Sequence, residues 1–420
     1  MAAYTNTNQL YQQSERVRPK LEEWLNKFQT PANLIPKRDV QLLSERDFRV
    51  PAITDEPGRE GTYNPNGGEI GRGQSTKGQV MISTFYPLRQ AFELTQLEVE
   101  ATQSGEQAAK SVFKDVMKRA LPGFAAFRNR LFFTDGTPTL GTATAQATVS
   151  GVTVYTMDST FGTRRLRRGQ YVAIYDSTLT TLRTTERITS INYKDRKVTL
   201  ASTISGAAST DVLCFEGVSG ASPTGIQGLY YWNSSAQTGT TAGINRANEP
   251  EIWSNSVSGS GGLASIIGLN LFHQMVERRG VESLSGLLGI SGLSQHAAAV
   301  ANVMNVQNIL NINGQTAEMK DLLPAVALAF PFAGVKHMVV PMQDATRLDW
   351  ISPQETWGVA RLHDTKYFEI GGSRFFPTYG SGGSPNAAMW FALVCNENFF
   401  CANPGGNGVI TSLPVEAPYA

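Results

Sequence analysis

Apolar side chains return every three to four residues from Ala108 to Leu131: Ala108, Val112, Phe113, Val116, Met117, Ala120, Leu121, Phe124, Phe127 and Leu131. That spacing predicts one amphipathic helix of about 28 residues, roughly 42 Å long at 1.5 Å per residue. Ser104 and Gln107 stand at capping-box spacing before it. Lys110, Lys114, Lys118, Arg119, Arg128 and Arg130 fall mostly away from the apolar stripe. Pro122 is expected to bend the helix, and Pro122-Gly123 could divide it. The turn-rich TDGTPTLG ends it.

An extended run, QVMISTFYPLRQAFELTQLEVEA (79–101), leads into this helix. Val80, Ile82, Thr84 and Tyr86 alternate with Met81, Ser83 and Phe85, so both faces carry apolar groups. Pro87 demotes the run from a central strand to a hairpin, an edge or a loop. Leu94 and Leu97 fall one residue out of phase, the mark of a bulge or bend. A ribbon that is apolar on both sides aggregates unless a partner covers it.

The helix is followed by an abrupt change. Between 142 and 217, short β-branched runs such as GVTVYTM, QYVAIYD and RKVTLAS are separated by polar turns. They predict a small all-β module of about 75 residues inserted between two regions of mixed character. Downstream, helices are expected over 263–279, stopped by Gly280, and over 295–306. Asn313-Gly314 signals a hairpin, HMVVPM a buried strand, and TWGVARL, KYFEIGG, AAMWFALVC and NFFCANPGG further strands.

Residues 1–76 read as an arm. A helix over 8–28 would place Leu10, Val17, Leu21, Trp24 and Phe28 on one side. Pro31, Pro36, Pro51, Pro57 and Pro65 then break up regular structure. So little self-contained core is left that the arm is expected to dock on something else.

Chemistry is sparse by comparison. The chain has four histidines, and FHQMVERRG lacks the second histidine of a zinc-protease helix. Its three cysteines contain no Cys-x-x-Cys, so small buried hydrophobes are expected rather than a disulfide or zinc framework. No phosphate loop and no Gly-x-Ser-x-Gly elbow occurs. Glu98 and Glu100 sit in a polar strand rather than anything like a pocket. No catalytic residue, cofactor or metal is expected. The polar N-terminus lacks the apolar core of a signal peptide, and no apolar run reaches the roughly 20 residues of a membrane span. A net charge of +1 gives no global drive toward DNA or anionic membranes. The cluster Arg164, Arg165, Arg167 and Arg168 has only Phe161 as a nearby aromatic. A solvated or intersubunit salt-bridging loop is therefore preferred to a nucleic-acid contact.

Taken in order, an arm, a ribbon, a long helix, an inserted β-module and a β-rich ending resemble the major capsid protein of tailed bacteriophages, the Hong Kong 97-like fold. STKGQVMISTFYPLRQAFELTQLEVEATQ is similar to its extended loop, the E-loop, and SGEQAAKSVFKDVMKRALPGFAAFRNRLF to its spine helix. LFFTDGTPTLG, entering the β-module, is similar to members that carry an insertion domain. The resemblance implies an α+β chain with an arm (1–76), an E-loop ribbon (77–103), a spine helix and peripheral domain (104–141), and an inserted β-domain (142–217). A peripheral return with a second long helix (218–280) and an axial domain (281–420) complete it. It implies a virion protein, assembled in the host cytoplasm, whose copies form pentamers and hexamers of an icosahedral shell around double-stranded DNA. Scaffolding, portal and decoration proteins are further partners of that family. Trp24 and Phe28 would anchor the arm, Phe85, Tyr86, Phe92 and Leu94 would pack the ribbon on a neighbour, and the four arginines would bridge subunits. An encapsulin-like compartment shell shares the fold, and a hydrolase with an appended β-module is the rival from another class.

Overall fold

The structure is a computed structural model that describes residues 21, 30–55, 77–95, 106–158, 161–259, 270–275, 277, 286–295, 336–379 and 385–415. It begins with the helical turn α1 (Pro31–Leu34) and the strands β1 (Gln41–Leu42), β2 (Asp47–Asp55), β3 (Lys77–Thr84) and β4 (Tyr86–Thr95). The long helix α2 (Glu106–Phe132) follows. Six strands come next: β5 (Thr139–Val149), β6 (Val152–Met157), β7 (Tyr171–Tyr175), β8 (Leu182–Asn192), β9 (Lys197–Leu200) and β10 (Val212–Phe215). After the short helix α3 (Leu229–Trp232) come β11 (Thr240–Thr241), β12 (Ile244–Asn245), β13 (Asn255–Ser258), β14 (Leu288–Ser291) and β15 (Lys336–Val339). The chain closes with β16 (Leu348–Ile351), β17 (Trp357–Tyr367), β18 (Phe376–Tyr379), β19 (Pro385–Cys401) and β20 (Gly408–Thr411). The described residues are mostly β, with few helices.

Two compact units form. One comprises Met1–Phe48, Ser83–Phe132 and Val359–Phe399, the other Arg49–Ile82, Phe133–Gly358 and Phe400–Ala420. In the first unit, β19 lies between β17 and β18 on one side and β4 on the other. The β4–β19 ladder is antiparallel from Thr95↔Ala388 to Tyr86↔Glu397. Among the described residues β4 has no second neighbour, so it is an edge strand, a place where the missing N–H of Pro87 is tolerated.

Helix α2 is 27 residues long and continuous through Pro122. Of the expected stripe, Met117, Ala120, Leu121, Phe124 and Leu131 are buried and Val116 and Phe127 half-buried, while Ala125 and Phe132 are buried in addition. Its C-terminal end departs from expectation, because Arg128 and Arg130 are buried as well. Gly123 brings the helix close to β4: a Cβ there would lie 3.0 Å from the Gln90 Nε2.

Strand β19 joins AAMWFALVC and the start of NFFCANPGG, expected as separate strands, through Asn396, Glu397 and Asn398. The chain stays extended there because these polar groups are bonded inside. Glu397 receives two arginines, and Asn398 Nδ2 donates to Thr84 O at 2.9 Å.

The second unit contains a closed barrel of order β10-β5-β6-β9-β8-β7. Leu140, Tyr155, Met157, Val172, Ile174, Ile188, Val198, Leu200 and Leu213 fill its core. The alternation of buried and half-exposed residues along β6 follows from one strand face turning inward. Its entry and exit chains are tied by Phe215 N to Pro138 O at 3.1 Å and Gly225 N to Gly136 O at 2.8 Å. A Cβ at Gly225 would lie 2.7 Å from backbone atoms of Thr137 and Pro138, so only glycine allows this approach.

The same unit holds the mixed sheet β13-β20-β16-β14-β15. Its core gathers Trp350, Leu348, Ile410 and Leu413 with Leu271 and Met275, the last two from helical residues within the expected 263–279 segment. Within the expected buried strand HMVVPM, β15 takes only His337–Val339 together with Lys336 and pairs in parallel with β14; these three residues are half-buried rather than buried, and the buried Val340 follows the strand. The arm helix apart from Leu21, the helix over 296–306 and the Asn313-Gly314 hairpin lie outside the described residues.

Candidate assembly surfaces

Strand β3 separates its two faces sharply. Val80 and Ile82 are 50% and 46% exposed, whereas Met81 and Ser83, on the opposite face, are buried. Ile82 N donates to Ala242 O at 2.9 Å, which fixes the strand in the second unit. Two β-branched side chains on one solvent-facing strand surface are a feature that a covering partner would relieve.

The ribbon residues singled out by sequence fall elsewhere. Phe85 and Leu94 are buried in the chain's own interior, Phe85 with its ring centroid 4.7 Å from that of Phe48. Tyr86 and Phe92 are half-buried, Phe92 against Phe391 at 5.3 Å. The two-faced free ribbon is thereby corrected for its second half. Once β4 pairs with β19, Leu88 and Leu94 are covered by the same chain. Trp24 and Phe28 lie outside the described residues.

The arginine cluster divides in the same way. Arg165 is 3% exposed. Its guanidinium carbon sits 3.6 Å from the centre of the Phe161 ring and 5.6 Å from that of Tyr230, and Nη2 donates to Phe133 O at 2.7 Å. Burial lowers its pKa against the pull of Tyr230 and Asp135. Arg165 thus clamps the barrel loop to the start of the insertion within the chain. Arg164 is half-buried, its Nε bonded to Phe161 O at 3.0 Å. Arg167 and Arg168 are exposed.

Two further groups adjoin that exposed pair. Tyr171 stands directly opposite Arg187 on adjacent antiparallel strands, and both are exposed. Sequence reasoning missed them because 16 residues of chain separate them; only the β7–β8 register places them together.

Tyr230 anchors the other side of the clamp. Its hydroxyl donates to Gln343 Oε1 at 3.0 Å and accepts from Asp344 N at 2.9 Å, and Arg347 lies over its ring at 4.5 Å. Arg347 in turn grips Asp349, with Nε 2.8 Å from Oδ2 and Nη2 2.7 Å from Oδ1. Asn233 and Gln343 amides donate to the same buried carboxylate. Burial alone would lower the Arg347 pKa, but the Asp349 charge and hydrogen bonds raise it. Burial raises the Tyr230 phenol.

In the first unit, Glu397 is fully buried between Arg128 Nε at 2.6 Å and Arg361 Nε at 2.9 Å. Arg128 Nη1 also reaches Asn33 Oδ1 at 3.2 Å. The carboxylate on β19 therefore ties α2 and β17 together directly and, through Arg128, the helical turn α1.

Among the described residues no group of three or more His, Cys, Asp or Glu is placed to hold a metal ion. Cys214, Cys395 and Cys401 are buried free thiols, and burial pushes Cys214 up to about 12. His273 and His363 are exposed, His337 packs near Trp350 with ring centres 6.3 Å apart, and His296 lies outside the described residues. No helix among the described residues is long and apolar enough to cross a membrane.

No family model matches the sequence, and no curated protein is similar to it in sequence. Solved chains similar to it include one from the capsid asymmetric unit of cyanophage A-1(L). That chain is 11% identical, over 92% of this chain and 94% of that one, with a TM-score of 0.49. A virus-like particle from Pyrococcus furiosus is 10% identical over 94% and 98% of the two chains, with a TM-score of 0.38. The capsid of a native GTA particle is 7% identical over 91% and 89%, with a TM-score of 0.42.

Proposed function

We propose that this chain is the major capsid subunit of a tailed phage, a structural protein with the Hong Kong 97-like fold and no enzymatic role. Its copies would close into pentamers and hexamers of an icosahedral head, assembled in the host cytoplasm around double-stranded DNA. The observation that carries this reading is the exposed Val80–Ile82 face of β3, continuous in the chain with edge strand β4 and the 27-residue helix α2. The exposed face offers an apolar surface to a second copy. Contacts of this kind repeat around an axis and close into rings. Scaffolding, portal and decoration proteins are the partners such a shell would meet.

Size-exclusion chromatography with negative-stain microscopy tests the reading. Uniform shells containing DNA are expected from infected cells, and empty shells or capsomers from the purified chain. DNA-free shells holding an enzyme would assign the chain to a compartment instead. A small monodisperse oligomer with hydrolase activity would end the capsid reading.

A further inference from the structure

We infer that the arginine face of the barrel, Arg167, Arg168 and Arg187 around Tyr171, docks the carboxylates of residues 93–106 on a second copy of this chain. This inference rests on the shell reading above and names one of its contacts.

The face is built by backbone geometry. Gln170 N closes the Arg167 turn onto Arg167 O at 3.2 Å, and Gly169 N to Ile188 O at 2.8 Å and Ile188 N to Gln170 O at 2.9 Å fold the turn onto β8. Gly169 has a φ of +82°, and a Cβ there would lie 3.7 Å from Arg187 Nη2, so Arg187 stands beside the turn. Tyr171 and Arg187 are cross-strand partners and project to the same side. All three arginines are exposed, and none is in an ion pair among the described residues. The next carboxylate along β8, Glu186, belongs to the other strand face and accepts from Ser202 Oγ at 2.7 Å. Three guanidinium forks without counter-charges among the described residues are suited to bidentate carboxylate recognition.

Charge balance points to the occupant. Residues 139–215 carry nine Lys and Arg against five Asp and Glu, while the whole chain is only +1. The remainder of the chain is therefore net negative. Residues 93–106 hold Glu93, Glu98, Glu100 and Glu106 and no Lys or Arg, and Glu93 is exposed on edge strand β4. Each copy thus supplies both halves of a head-to-tail contact, which can propagate around a ring. A nucleic acid would satisfy the arginines but leave the acidic run without a counterpart. Complementary charge of this kind mainly fixes register and speeds encounter.

The test mixes two chains, one carrying Arg168→Cys and the other Glu98→Cys, assembles them together and oxidises them. The native thiols are buried, so a disulfide can form only between the new cysteines. A band at twice the chain mass is expected from the mixture and not from either variant alone. In parallel, Arg167→Glu, Arg168→Glu and Arg187→Glu together should abolish particles while leaving the monomer's melting profile intact. Adding Glu93→Lys, Glu98→Lys and Glu100→Lys to that chain should restore them. Particles without the mixed dimer, or no restoration, overturn the inference. So does a triple variant that assembles normally and loses only its retention on a DNA column. If the unaltered chain forms no particles, it is the shell reading that has failed.

Discussion

Glu397 illustrates how much rests on single side chains. It has no access to solvent and lies between two guanidiniums. Burial by itself would raise its pKa, but Arg128 and Arg361 outweigh it and hold the carboxyl below its ordinary value. A depressed folded-state pKa contributes stability that is fully present above the unfolded value of about 4.3. That contribution is lost as pH falls through the lower folded value. Glu397→Gln would leave Arg128 buried beside a neutral amide, with its Nη2 already unbonded. Arg361 would lose its 2.9 Å bond to the carboxylate, its approach to the exposed Asp364 being 4.0 Å. The expected loss is about 3–5 kcal/mol at pH 7, read as a lower urea midpoint, and the gap to the unaltered chain should narrow below pH 4. Equal midpoints at pH 7 would show that the carboxylate does not compensate these arginines.

At the scale of elements, the barrel is the most self-sufficient part. Its six strands close without an edge, which removes the unpaired backbone that open sheets must protect. Its chain ends meet at the Gly225–Thr137 crossing, where Thr134 Oγ1 also bonds Ile226 O at 2.6 Å. A length of roughly 95 residues is enough to support an independent core. Residues 134–228 expressed alone should therefore show a β-type far-ultraviolet spectrum and one cooperative thermal transition. A broad, non-cooperative melt would mean that the barrel depends on the Tyr230–Arg347 clamp and the mixed sheet behind it. Helix α2 is the contrasting case: its polar end is buried by Glu397 and Asn33 partners drawn from distant segments, so it is not expected to stand alone.

For the whole molecule, the decisive property is what the folded chain leaves exposed. Val80 and Ile82 remain in solvent although Met81 and Ser83 beside them are buried. A pair of Val80→Asp and Ile82→Asp substitutions should prevent particle formation, because charges would enter a contact that excludes water. The monomer should keep its stability within about 0.5 kcal/mol, as for surface changes generally. Particles of normal yield, seen by light scattering, would remove this strand face from the assembly contact.

Sequence alone determined the features that depend on near neighbours. The length of α2 was legible because helical faces repeat every three to four residues. The β character of 142–217 was legible for similar local reasons, and Pro87 by itself excluded a central strand while leaving a hairpin, an edge or a loop open. Tertiary structure decided everything that depends on pairing at a distance. Leu94 is covered because β4 meets β19, nearly 300 residues later, and nothing local specifies that partner. Arg165 and Arg168 have the same charge and adjacent turns, yet one is enclosed by Phe161 and Tyr230 and the other is exposed. A guanidinium's role follows from what the fold brings to its faces, and that information is distributed over the whole chain.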